Sequence, residues 1–392
     1  MNDAPHLALL PAGLYDLLPP DAEIEAEVTG RLMGVLASHG YQRVKPPLVE
    51  FEETLLSGAG TATASDTFRL MDPISHRMVG VRADMTPQVA RIATTRMSHM
   101  PRPLRLSYAG QVLRVKGSEM RPERQIGQAG AELIGAEGPA ADVEAIAVAG
   151  EALQAVGVPH LSVDLTLPTL VPAIVEAYGL GGEREAALRA ALDHKDAAAV
   201  AALAGEAGRL LAELIASAGI AAATRAALDR LDLPARARQE RDRLGAVLDG
   251  LAAAVPDLKV TVDPVENRGF EYHSGISFTF FARTDRERGP LGELGRGGRY
   301  QAGDPAAPEP ATGFTLYTDT ILRTLPQAPR RRRVLVPLDA DRDHARALRE
   351  AGWVTVAALS SAANGRAEAA RLGCDYVIED REPKPLAPAS KR

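Results

Sequence analysis

Strand-like stretches in this chain come in runs and the helices between them come as a separate block, and that order constrains the fold most. Apolar runs and alternations typical of strands occupy 67–71, 78–81, 104–114, 126–134 and 161–166. They resume at 258–262, 276–282 and 312–318. Between them, residues 170–254 are rich in Ala, Leu, Arg and Glu and carry almost no strand signal, so they read as a helical insertion. Regular βα alternation would favour a parallel sheet. Runs of strands set apart from helices favour a largely antiparallel sheet with flanking helices, an α+β fold.

The first helix is expected after Asp21, which can cap it, with Ile24, Val28, Leu32, Val35 and Leu36 on one face and Gly40 at its end. Residues 41–49 then read as a strand, but Pro46 and Pro47 cannot donate to a ladder and demand an edge or an interface, here a dimer contact near 40–56. Thr86-Pro87 opens a second helix, and another runs from Asp142 to Gly157. Residues 326–333 form a linker whose arginine run, Arg330 to Arg333, reads as a solvated hinge. Beyond it strands at 334–338, 354–357 and 376–378 alternate with helices at 341–351 and 364–372, a small βαβαβ unit with parallel strands. No Gly-rich phosphate loop follows its first strand. From Lys384 onward the chain reads as a frayed tail. The expected organisation is a domain over 1–325, a linker over 326–333 and a small domain over 334–392.

A chain of 392 residues, 46% hydrophobic and 24% charged, can bury an ordinary core over two to three domains. Its formal net charge of -6 disfavours a large RNA interface such as one for tRNA. The single cysteine, Cys374, rules out an internal disulfide or cysteine metal site and reads as a small buried hydrophobe. The eight histidines show no metal-ligand spacing. No signal peptide or membrane-spanning run is apparent, so a cytoplasmic protein without metal, cofactor or membrane partner is expected.

Four segments place polar residues beside strands. Asp84 and Thr86 sit at a helix start, Arg114 ends a strand, and Gln128 and Glu132 are four apart, on one side of an extended segment. The fourth is Asn267-Arg-Gly-Phe-Glu-Tyr-His-Ser-Gly275, a turn that leads into Ile276–Phe281 and offers Arg268 and Tyr272. Carboxylates suit an ammonium, an arginine suits a carboxylate and the amide and phenol suit a polar side chain, so the inventory fits an amino acid.

In order along the chain, Gly40 to Pro47, Val81 to Thr86, Arg114, Gln128 to Glu132, Arg268 to Tyr272, Gly297-Gly-Arg-Tyr300 and Thr312-Gly-Phe314 resemble the class II histidyl-tRNA synthetase catalytic domain. The similarity spans roughly residues 10–325, and 333–380 is similar to a shortened anticodon-binding domain. The resemblance implies a class II synthetase-like antiparallel sheet and a histidine pocket of Asp84, Thr86, Arg114, Gln128, Glu132, Arg268, Tyr272 and His273. It also exposes departures. Lys116 stands where the synthetases carry a glutamate that helps hold ATP, and Thr320 where they carry an arginine that clamps the triphosphate. A threonine supplies neither the charge nor the bidentate fork.

A retained amino-acid pocket beside lost adenylation residues resembles the regulatory subunits of ATP phosphoribosyltransferase, a paralogous family without chemistry of its own. That resemblance implies no catalytic residue and a short-form catalytic subunit as partner. It further implies histidine as effector, a homodimeric core within a hetero-octamer, and a role in the first step of histidine biosynthesis. A working histidyl-tRNA synthetase and a synthetase-like adaptor of another enzyme remain as alternative readings.

Overall fold

The computed structural model describes residues 9–117, 121–266, 272–283, 292–304, 306–326, 331–361 and 364–386. The chain divides into two units, Met1–Pro326 and Gln327–Arg392. Helix α1 (Asp21–Ser38) buries Val28, Leu32, Met33 and Leu36, and Gly40, at φ +81°, turns the chain out of it. Asp21 lies in its first turn, where its charge favours the helix, but its side chain makes no capping hydrogen bond.

The stretch expected as one strand around Pro46-Pro47 is two short ones, β1 (Gln42–Arg43) and β2 (Val49–Phe51), in different sheets. The prolines form the corner between them. Their carbonyls are held by buried side chains, Pro46 O by Arg82 Nη1 at 3.0 Å and Pro47 O by Gln88 Nε2 at 2.8 Å. After α2 (Glu52–Leu55), strands β3 (Phe68–Met71) and β4 (Met78–Val81) complete a three-stranded sheet ordered β2-β4-β3. Helix α3 (Thr86–Arg91) follows, with Pro87 in its first turn.

The main sheet is built on β5 (Leu104–Leu113) and β6 (Gln125–Ile134). Next come α4 (Pro139–Ala155) and β7 (Ser162–Thr166). The expected insertion is helical, with α5 (Leu170–Ala177), α6 (Glu183–Asp193), α7 (Ala197–Leu203) and α8 (Gly208–Ser217) before a two-residue strand β8 (Gly219–Ile220). Helices α9 (Ala221–Leu228) and α10 (Ala235–Ala254) then lead to β9 (Lys259–Asp263). The sheet is completed by β10 (Ser277–Phe281), β11 (Gly295–Ala302) and β12 (Glu309–Tyr317), and α11 (Thr318–Thr324) closes the unit. Strand order is β1-β5-β6-β12-β11-β10-β7-β9-β8. Only β1 with β5 and β7 with β9 run parallel, so the sheet is largely antiparallel. The glycine-rich β11 carries too little apolar pattern to be recognised as a strand.

Strand β6 is buried almost throughout because both of its faces are covered. Ala129 and Ala131 join a core with Val28, Leu32 and Leu36 of α1 and Ile146 and Leu153 of α4. Ile126 and Ile134 point the other way, into a second core with Val89 of α3 and Leu106 of β5. Gln128 and Glu132 share that second face by the period of two. One buried ion pair ties the connection after β6 to β11. Arg299 Nη2 lies 2.9 Å from Asp142 Oδ1, and the side chains are 4% and 1% exposed. The same guanidinium donates to Ala136 O at 3.0 Å and Gly138 O at 2.8 Å.

The C-terminal unit has parallel β13 (Arg333–Val336), β14 (Val354–Ala357) and β15 (Tyr376–Glu379), with α12 (Arg342–Glu350) and α13 (Gly365–Arg371) between them. The expected tail is corrected here: β16 (Glu382–Pro385) pairs antiparallel with β15. Its prolines suit an edge strand and hide the strand pattern in the sequence. Cys374 is buried, as its apolar surroundings suggest.

Arg299→Met would leave Asp142 buried and unpaired, at a cost of about 3–5 kcal/mol. A urea-denaturation midpoint close to wild type would show that the pair does not fasten the sheet.

Candidate ligand-binding site

The polar residues of β6 meet the start of α3 over the middle of the main sheet. Asp84 precedes α3, and its Oδ1 accepts the Thr86 amide at 2.8 Å. Gln128 bridges the two elements. Its Nε2 donates to Asp84 Oδ2 at 3.0 Å and its Oε1 accepts the Met85 amide at 3.1 Å. Glu132, 1% exposed, sits in a cage of hydroxyls. Its Oε1 accepts from Thr86 Oγ1 at 2.8 Å and Tyr108 OH at 3.3 Å, and its Oε2 accepts from Tyr300 OH at 2.9 Å.

The sheet makes room for this cage with glycines. Glu132 lies opposite Gly313 of β12, and Tyr108 of β5 opposite Gly130. A Cβ on Gly313 would overlap Glu132 Oε2, and one on Gly130 would overlap the Tyr108 hydroxyl. The side chains can therefore lie flat on bare backbone. A cavity of about 40 Å³ opens above them, lined by Asp84, Thr86, Glu132, Tyr272, His273, Arg296 and Tyr300 among others. Tyr272 is a lining residue that is 39% exposed, and its ring meets His273 at 4.0 Å and Tyr300 at 6.3 Å.

Burial dominates the electrostatics. It pushes the Glu132 carboxyl up to about 8, against the pull of the Thr86 and Tyr300 hydroxyls, and Asp84 adds to the rise. The Tyr272 phenol is raised by burial and then by Asp84 and Glu132. Tyr108 and Tyr300 are raised by burial as well, so these phenols stay neutral hydrogen-bonding groups. Among the described residues no cation forms an ion pair with Asp84 or Glu132. Arg296 lines the cavity but grips Glu293 through Nε and Nη2 at 2.5 and 2.6 Å. The pocket thus presents acids that form no ion pair with a described residue, with aromatic hydroxyls around them.

Asp84, Thr86, Glu132, Tyr272 and His273 come together as cavity lining, with Gln128 holding Asp84 from behind. Arg114 is half-buried at the end of β5, with Nε 3.5 Å from Ala83 O, and does not line the cavity. Arg268 lies outside the described residues. Lys116 is exposed. Thr320 is buried in α11 and accepts from Arg121 Nη2 at 3.1 Å. Arg121 also donates to Glu293 O at 2.9 Å and stacks over Tyr317 at 4.0 Å. Tyr108, Tyr300, Thr315 and Arg296 were not singled out as site residues from the sequence. Tyr108 was detectable as a phenol within the apolar strand pattern at 104–114, whereas Tyr300 lies in the glycine-rich β11, which the pattern hides. A larger cavity of about 720 Å³ is bordered by Tyr15, Asp21, Glu25, Glu123 and Asp319, and it gathers none of the expected site residues.

The family model described as Histidyl-tRNA synthetase matches residues 13–321. The ATP phosphoribosyltransferase regulatory subunits of Paramagnetospirillum magneticum and Rhodospirillum centenum are each 58% identical to this chain. The alignments cover 96% and 95% of it and 98% and 95% of theirs. This chain belongs to the ATP phosphoribosyltransferase regulatory subunit family. The fold is class II synthetase-like, in keeping with a solved ATP phosphoribosyltransferase regulatory subunit/histidyl-tRNA synthetase from Bacillus halodurans. That structure matches with a TM-score of 0.77 at 23% identity, over 93% of this chain and 97% of its own. In this member of the regulatory subunit family the acids on β6 and before α3 line a polar pocket.

Glu132 has a testable signature. Its folded pKa of about 8 exceeds its ordinary 4.5, so the folded state holds the extra proton between those values. The stability that proton confers is complete below about 4.5 and is lost as pH rises through about 8. Urea midpoints of wild type should fall between pH 5 and pH 8 by more than those of Glu132→Gln. Equal slopes would mean that Glu132 is ionised throughout.

Proposed function

We propose that this chain is a subunit without catalytic activity of its own that joins a short-form ATP phosphoribosyltransferase catalytic subunit. In this reading it is required for that enzyme's activity and makes the complex sensitive to histidine, in the first step of histidine biosynthesis. The observations that support the reading are a polar pocket whose acids pair with no described cation, and a Thr320, in the helix after β12, that is tied up by Arg121. The ammonium of histidine supplies the missing cation to Asp84 and Glu132, and the phenols Tyr272 and Tyr300 face its side chain. Arg268 takes the carboxylate. At Lys116 and Thr320 the residues that hold ATP in synthetases are absent, so no aminoacyl-adenylate forms and tRNA is not a partner.

Regulation follows from linkage. An effector shifts an assembly only through its different affinities for two states, and substrates that favour the active state weaken histidine binding in return. The assembly is a hetero-octamer in the cytoplasm around a homodimer. Among the described residues no helix is long and apolar enough to cross a membrane. On the three-stranded sheet the cross-strand partners Met71 and Met78 are exposed, with Ile74 exposed in the turn between their strands, an apolar patch suited to a second copy. Light scattering of the purified chain should give a dimer mass, and a monomer at micromolar concentration counts against that contact.

The deciding assay compares the catalytic subunit alone, with wild-type chain and with Asp84→Asn. Wild type should activate and confer inhibition by histidine. Asp84→Asn should activate but need roughly 10- to 150-fold more histidine, the worth of a hydrogen bond to a charged group. No activation by wild type ends the assignment. Activation with unchanged inhibition in Asp84→Asn moves the effector site elsewhere. Histidine-dependent pyrophosphate exchange by the chain alone would overturn the absence of catalysis.

A further inference from the structure

Resting on the regulatory-subunit reading above, we propose that the α1 side of the main sheet carries the docking surface for the catalytic subunit. The exposed apolar side chains of residues 9–18 form its rim, and the acidic cavity beside them takes a lysine or arginine side chain of that partner.

The cavity of about 720 Å³ is walled by the start of α1, Gln111 of β5, Gln125 and Gly127 of β6, and α11. Gly127 shares its side of β6 with Ala129 and Ala131, so the cavity lies on the opposite side of the sheet from Gln128 and Glu132. Its size suits a long side chain. Among the described residues four acids border it, Asp21, Glu25, Glu123 and Asp319, against one cation, Arg323, which pairs with Glu123. Arg121, outside the lining, also lies near Asp319, and the excess is still negative. Glu25 meets only neutral donors, Gln111 Nε2 at 3.2 Å and Thr318 Oγ1 at 3.1 Å. Both carboxylate oxygens of Asp319 and Oε2 of Glu123 are buried without a hydrogen-bond partner. Low-dielectric walls focus such a field into the cavity, where it favours a cation. The rim is apolar. Leu9, Leu10, Tyr15, Leu17 and Leu18 are all exposed, Leu18 by 66%, and Tyr15 and Leu17 border the cavity. The backbone beneath them is tethered, because the Arg124 amide donates to Gly13 O at 2.9 Å and Arg124 Nη1 to Ala12 O at 3.1 Å. A held segment that turns its apolar side chains to water marks a contact surface. A second copy is a poor occupant, since a two-fold contact would set the acids of one cavity against those of the other. A different protein with a basic side chain set among apolar ones complements both the charge and the rim.

The test titrates the full chain with the short-form catalytic subunit by calorimetry, at low and high salt. Leu18→Asp and Asp21→Lys should each weaken the complex at least about 10-fold. Leu359→Asp, at a position 94% exposed in the C-terminal unit, should bind as wild type. Added salt should weaken wild type more than Asp21→Lys. Both test positions are exposed, so urea midpoints should stay at the wild-type value, and if one variant fails to fold the other decides. Wild-type binding that neither variant weakens overturns the surface and leaves the partner standing. Weakening by a folded Leu18→Asp with Asp21→Lys unchanged removes the basic anchor and overturns the proposal as stated, as does an affinity that ignores salt. Loss of the chain's own dimer in the variants, by light scattering, gives the surface to a second copy and overturns it too. No binding by wild type overturns both this surface and the regulatory-subunit reading.

Discussion

Holding a carboxylate out of water costs several kcal/mol unless a cation or a set of donors offsets it, and a second acid nearby adds to that cost. Glu132 is under that constraint, with half-buried Asp84 as the second acid, and much of the unit can be understood from how it is met. The Gln128 side-chain amide and the Thr86 backbone amide donate to Asp84. The hydroxyls of Thr86, Tyr108 and Tyr300 surround Glu132. None of these donors carries charge. They offset part of the cost of burial, which still pushes the Glu132 carboxyl up to about 8.

The rest of the architecture keeps those donors in register. Antiparallel pairing sets Glu132 opposite Gly313 and Tyr108 opposite Gly130, and a one-residue slip would turn every one of these side chains into the opposite core. Arg299, buried against Asp142, pins β11 and with it Tyr300 to the connection that leaves β6. Arg82 and Gln88 hold the Pro46-Pro47 corner, so the segment carrying Asp84 is braced from the small sheet as well.

The antiparallel class, the helical insertion and the polar pair on β6 were legible in the sequence because they rest on period and on long apolar runs. Glu132 and Gln128 stood out as two polar residues between Ile126 and Ile134 in a strand with no exposed face. The glycine floor was not legible. Gly130 and Gly313 look like breakers in a linear reading, and only the cross-strand register shows that they make space for a neighbour's side chain. Strand β11 was hidden for the same reason, and β16 by its prolines. The structure also added a feature that no spacing implies. The guanidinium of Arg121 reaches Thr320 from a distant segment.

Membership in the regulatory subunit family and the retained acids converge on one central claim, that the pocket on β6 receives the ammonium of an amino acid. A crystal structure of the chain grown with L-histidine tests it most directly. The account predicts histidine over the Gly130–Gly313 floor, its ammonium within about 2.7–3.2 Å of both Asp84 and Glu132. Histidine bound at another site, or in this pocket with its ammonium turned away from both acids, would contradict it.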